Sequence, residues 1–175
     1  PYLMANPGIR IRYDGETVDL SKALVQDRTL EVAEPESDGQ AAVSFHLRVL
    51  EWSKKRAPSL FLCDQHGVAM DEMPIDLKGV RYPFTAYVLS DRVRTLHETD
   101  RLAAGDLDSE VRRLKEVAKE TLRDHFRQRR AEEARLIADR MRREGVYPYS
   151  QQPATPVEKA EQQVFDICAA TLHEF

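Results

Sequence analysis

The stretch Leu107–Glu144, LDSEVRRLKEVAKETLRDHFRQRRAEEARLIADRMRRE, contains neither proline nor glycine. Val111, Leu114, Ala118, Leu122 and Phe126 step through it by threes and fours, and Leu136, Ile137 and Met141 resume the stripe further on. That period predicts one long amphipathic helix with a buried apolar side. At 1.5 Å per residue its 38 residues would run to about 57 Å, so it is expected to bend, to break near Arg129–Glu132, or to project. Gly145 is well placed as the stop, with Arg142 and Arg143 favourable at the negative end of the helix dipole. After Tyr147-Pro148-Tyr149, the run Thr155-Pro156-Val157-Glu158 has the form of a capping box with proline at the first helical position. Val157, Ala160, Val164, Cys168 and Leu172 are then expected to mark the buried face of a final helix.

Ahead of this helical half the chain alternates instead. Ile9, Ile11 and Tyr13 are interleaved with Arg10 and Arg12 and lead into Asp14-Gly15, a hairpin turn signal. Thr29–Ala33 reads as a short strand, and Glu34–Gly39 as a polar surface loop. Ala42–Trp52 is the longest strand expected, with Val43, Phe45, Leu47 and Val49 on one face and Ser44, His46, Arg48 and Leu50 on the other. A basic turn, Ser53-Lys54-Lys55-Arg56, leads to the apolar strand Ser59–Cys63. Asp64-Gln65-His66-Gly67 forms a turn before Val68–Met70, Tyr82–Leu89 is the last strand, and Asp91–Glu98 a short helix. The fold class is therefore α+β: a small β-rich α/β domain over residues 1–100, then an α-helical module over 101–175 with one long helix.

Composition sets limits on function. The chain has 175 residues, 42% hydrophobic and 32% charged, with a net charge of −4. That balance is too slight to imply a nucleic-acid or membrane partner. No apolar run approaches the ~18–20 residues a spanning helix needs. Residues 101–145 carry +3 and the remainder −7, so a mildly basic module follows an acidic one. Cys63 and Cys168 read as ordinary thiols of a reducing cytoplasm, neither a disulfide framework nor a zinc site. With Pro1 at one end and a helical pattern running to Phe175, the chain reads as an interior piece of a longer one.

No phosphate loop, His-Glu-x-x-His or nucleophile elbow occurs, and the five histidines share no ligand spacing. Asp64 and His66 sit where a turn wants Asp and Gly for backbone reasons. The arginines after Phe126 (Arg127, Arg129, Arg130, Arg135, Arg140, Arg142, Arg143) do not line up as one stripe. Glu132 with Arg135, and Asp139 with Arg142 or Arg143, fit a salt-bridged solvated helix face. Lys54-Lys55-Arg56 reads as surface charge, or as point charges for a phosphate presented by another domain.

Three stretches carry a family resemblance. Ile9–Gly15 resembles the first transducer strands that follow the nucleotide domain of GHKL ATPases (gyrase, heat-shock chaperones, histidine kinases, MutL proteins). Ser59–Asp64 with Gly67, and Phe84–Tyr87, are similar to the sheet of that domain in bacterial chaperone-like or MORC-like members. Glu144–Tyr149, with Phe165-Asp166-Ile167, resembles their helical extension. The resemblance implies a transducer-like domain that couples ATP binding and hydrolysis, in a preceding nucleotide-binding domain of the same chain, to conformational change. ATP and Mg would belong to that parent protein, since the magnesium-binding Asn and the Asp-x-Gly-x-Gly motif are absent here. In the family the transducer lends one basic residue to the γ-phosphate. No Gln-Thr-Lys motif is present, so Lys54 and Lys55 are cofactor-binding candidates by their place in a turn, with no catalytic or metal residue expected. The rival is a non-enzymatic protein–protein interaction or dimerisation module, and a third reading is a module that touches DNA through the arginine-rich helix.

Overall fold

The computed structural model describes residues 10, 12–17, 23–36, 42–149, 153 and 155–172. Two short strands, β1 (Arg12–Tyr13) and β2 (Glu16–Thr17), form an antiparallel hairpin. Its turn holds Asp14 at φ 49° and Gly15 at φ 80°, the two left-handed positions of a type I′ turn that Asp-Gly supplies with least strain. Ile9 and Ile11 lie outside the described residues.

Five further strands make one mixed sheet: β3 (Leu24–Glu34), β4 (Val43–Trp52), β5 (Ser59–Cys63), β6 (Ala69–Pro74) and β7 (Phe84–Leu89), in the order β3-β4-β7-β5-β6. All neighbours are antiparallel except β5 and β7. β3 runs well beyond the expected Thr29–Ala33. Its Gln26-Asp27-Arg28 segment is too polar to advertise a strand, but β4 supplies a complete ladder and Arg48 grips Asp27 with both ends of its guanidinium, at 2.9 and 2.7 Å. β6 likewise extends to Pro74, because β5 gives it a partner along that length.

β7 lies between β4 and β5, so the basic turn does not join sheet neighbours. Residues 53–58 cross the start of β7, and residues 75–83 cross the start of β5. The two connections thus interleave at one end of the sheet, which folds generally avoid. Trp52 N–H donating to Pro83 O at 2.8 Å and Ile75 N–H donating to Pro58 O at 3.3 Å tie the crossing together. Within the second connection Ile75 and Leu77 are buried.

The alternation in β4 sets the core. Leu47 and Val49 meet Val88 and Ala86 of β7, which in turn meet Leu62 and Leu60 of β5; all six are buried. After β7, Ser90 caps the helix α1 (Asp91–Glu98) by accepting from Arg92 N–H, and α1 buries Val93 and Leu96. A 3₁₀ segment (Leu102–Leu107) follows.

The long helix α2 (Ser109–Arg143) is one uninterrupted element, so of the alternatives expected from its length the break near Arg129–Glu132 does not occur. It starts two residues later than the apolar stripe suggests. Asp108 Oδ1 accepts from the N–H groups of Glu110 and Val111 at 2.9 and 3.1 Å, which makes Asp108 the N-cap. Its stop is a Schellman motif: Gly145 sits at φ 70°, its N–H bonds Arg142 O, and Val146 N–H bonds Met141 O. The last helix, α3 (Pro156–Leu172), begins with Thr155 Oγ1 accepting from Glu158 N–H at 3.2 Å, as the capping box predicts. The architecture is α+β with one long helix. It divides into two compact units, Pro1–Thr121 and Leu122–Phe175.

Val111, Leu114, Ala118, Leu122 and Phe126 are buried as their spacing predicts, but Leu136 is 67% exposed. The stripe instead shifts to Ala134 and Ala138, which are buried. The larger correction concerns α3. Val157 (66% exposed), Val164 (61%), Ala160 and Cys168 face outward, while Phe165 on the other side is half-buried. The side chain of Leu172 lies outside the described residues.

Candidate functional site

Lys54 and Lys55 are exposed on the segment that crosses the start of β7. Its first residue is fixed: Ser53 N–H and Oγ both bond Ala23 O, at 2.9 and 3.2 Å. The exposed Arg56 turns back over Trp52, its Cζ 5.3 Å from the indole centroid, a cation–π geometry. Trp52 Nε1–H donates to Thr85 Oγ1 at 2.9 Å, which fixes the ring on the sheet.

The same face carries a second apolar cluster. Leu50, Cys63 and Tyr87 are buried, with Leu24, Trp52, Phe61 and Leu89 packed around them. Phe61 and Tyr87, paired in register across β5 and β7, stack at 5.2 Å. Burial pushes the Tyr87 phenol up to about 12, against the nearby positive charges of Arg56 and Arg48. Burial likewise lifts the Cys63 thiol to about 12, so it stays protonated and unreactive at neutral pH. Cys168, expected to be at least half-buried, is exposed.

Asp64 does the work of a turn. Its carboxylate is fully buried, accepts from His66 N–H and Val68 N–H at 2.9 Å each, and is gripped by Arg94 from α1. Burial alone would raise its pKa; donation by Val68 N–H, Arg94 and His66 N–H outweighs burial and holds the carboxyl below its ordinary value. A second cluster secures the start of α2. Arg101 bonds Asp108 at 2.8 and 3.2 Å, while Arg92 and Arg101 both pair with Glu110. These bonds hold both carboxyls below their usual range, chiefly through Arg101 on Asp108 and Arg92 on Glu110. This network was legible in part: Asp108 directly before a periodic apolar run is an N-cap signal.

In the second unit, Tyr147, Tyr149 and Phe165 meet edge to face with centroids 5.6–6.0 Å apart. Tyr147 Oη donates to Asp166 Oδ1 at 2.8 Å, and Arg142 lies 4.3 Å over the Tyr147 ring while also bonding Asp139 at 2.7 Å. The Tyr-Pro-Tyr element therefore braces the start of the connection onto α3 through Phe165. That contact turns Val157, Ala160, Val164, Ile167 and Cys168 outward. Phe165 was the missed residue, and its signal was a second apolar line on α3, formed with Ala169.

Among the described residues no three His, Cys, Asp or Glu side chains gather in a group able to hold a metal. Nor is any helix there long and apolar enough to cross a membrane. Comparison with protein-family models, curated proteins and solved structures finds no match to this chain.

Proposed function

We propose that this chain is a non-enzymatic protein–protein interaction module that pairs through α3 with a second copy of itself. The carrying observation is the outward seam of α3. Val157, Ala160, Val164 and Ile167 recur at three- and four-residue intervals, and the three larger ones are 61–66% exposed. That spacing fits a helix–helix seam of the coiled-coil kind, and a helix lying along its own copy is the simplest complement to it. Glu161 is the one charged residue between Val157 and Cys168 that borders the seam closely, so little repulsion opposes pairing. Sedimentation equilibrium at micromolar concentrations is expected to show a dimer, and Val164→Asp with Ile167→Asp is expected to return it to monomer. A chain that stays monomeric throughout refutes the reading.

A second reading is the coupling role that the GHKL resemblance implies, with ATP and Mg held by a preceding domain. What supports it is the display of Lys54 and Lys55 on an exposed segment at a sheet end, where a flexible ammonium could meet a terminal phosphate. Lys54→Ala with Lys55→Ala is expected to slow ATP turnover by the parent protein without unfolding it. Unchanged turnover removes both lysines from that role.

A further inference from the structure

The exposed basic segment joins, through Arg56 and Trp52, the sheet face that carries Phe61 and Tyr87, away from the residues of the α3 seam in sequence. Lys54, Lys55 and Arg56 follow Trp52 directly. Arg56 covers the Trp52 ring, Trp52 packs on the cluster that holds Phe61 and Tyr87, and Phe61 stacks on Tyr87. Trp52 and Phe61 both remain partly open to solvent, whereas Tyr87 is buried and serves as their support. On the far side Arg48 pairs bidentately with Asp27, so that carboxylate is already neutralised. Glu72, opposite Phe61 in register, marks the acidic limit of the surface along β6.

We infer that this face binds single-stranded nucleic acid. Such strands combine a polyanionic backbone with unstacked bases, and are held by cations along the backbone and aromatic rings under the bases. Here three cations stand beside two half-open rings fixed on a rigid sheet. A duplex hides its base faces and cannot use the rings. A folded acidic protein would gain from the cations but has no need of an indole capped by a guanidinium. In the bound state a base stacks on the open part of the Trp52 ring, and Lys54, Lys55 and Arg56 meet the neighbouring phosphates.

Trp52 is the single tryptophan of the chain, so its fluorescence reports on this site alone. An oligothymidylate of about 15 nucleotides is expected to quench it, and the same labelled strand to gain anisotropy. With three cations engaged, log K should fall against log salt with a slope of about −2. Lys54→Ala with Lys55→Ala, both at exposed positions, should cut that slope to about −0.7. Trp52→Ala should lose at least about fivefold in affinity, and Trp52→Phe should retain most of it.

Failure to quench at low salt overturns the inference. So does equal binding of a duplex of the same length. Displacement by ATP or tripolyphosphate at matched phosphate concentration would reassign the lysines to a phosphate site and also overturns it. Because Trp52→Ala also removes the bond to Thr85, the lysine variant keeps the test decisive if the tryptophan variant fails to fold. Dimerisation through α3 is unaffected by either result.

Discussion

Replacing Asp64 with alanine is expected to destabilise the sheet more than any other polar substitution in it. The carboxylate is fully buried and satisfies two backbone N–H groups and one guanidinium. Alanine leaves the two N–H donors short of a partner at roughly 1 kcal/mol or more each. It also removes the partner of Arg94, but that guanidinium is 45% exposed and rehydrates, so the two amides dominate and about 2–3 kcal/mol is expected in total. Asp64→Asn keeps an oxygen for the His66 and Val68 amides but turns an NH2 toward Arg94, so the Arg94 bond is lost with the charge and about 1–2 kcal/mol is expected. Arg94 is 45% exposed, and Arg94→Ala should cost a similar, solvent-discounted amount, about 1–2 kcal/mol. Urea unfolding followed by Trp52 fluorescence reads the same sheet directly. The pH dependence carries a second check. The folded carboxyl titrates below its unfolded value near 3.8, so its contribution is complete above that value and is lost as pH falls through the lower folded one. The gap between wild type and Asp64→Ala should therefore be flat near neutrality and close in acid. An Asp64→Ala variant within about 1 kcal/mol of wild type at pH 7 would refute the reasoning.

Three further outcomes follow from the packing. Leu47→Ala, at a fully buried position in the middle of β4, should cost about 2–5 kcal/mol by urea unfolding. Gly145→Ala meets no steric obstacle but must hold φ 70°, so about 1 kcal/mol of local stability should go, seen as faster exchange of the amides at position 145 and at Val146. With a disulfide reagent at pH 8, the exposed Cys168 should react at once. Cys63, buried and with its thiol raised to about 12, should react only on unfolding.

Local chemistry was the legible part of this protein. α1 occupies the expected Asp91–Glu98, the Asp14-Gly15 turn has the expected hand, and Thr155 and Gly145 cap their helices as their identities require. Each of these depends on residues within four or five positions, so the information sits in the same stretch as the structure. The burial of one face of β4 was equally plain, because a period of two leaves only one way to hide Val43, Phe45, Leu47 and Val49. Lys54 and Lys55 could be recognised as exposed turn residues, but not as the rim of an aromatic face. Their neighbours there, Phe61 and Tyr87, come from strands whose order no local pattern states.

What the sequence determined by itself was the class of most elements, a long helix over the stretch without proline or glycine, and the buried parity of the first half of β4. Only the tertiary structure decided that β7 separates β4 from β5, which carries the basic segment across a sheet end. Only it decided, too, which of two apolar lines on α3 would be covered. Periodicity says that a helix has an apolar side, but the partner chooses the side. Here Tyr147 and Tyr149 claim Phe165 through edge-to-face contacts and the Asp166 bond, and geometry then leaves Val157, Val164 and Ile167 facing water.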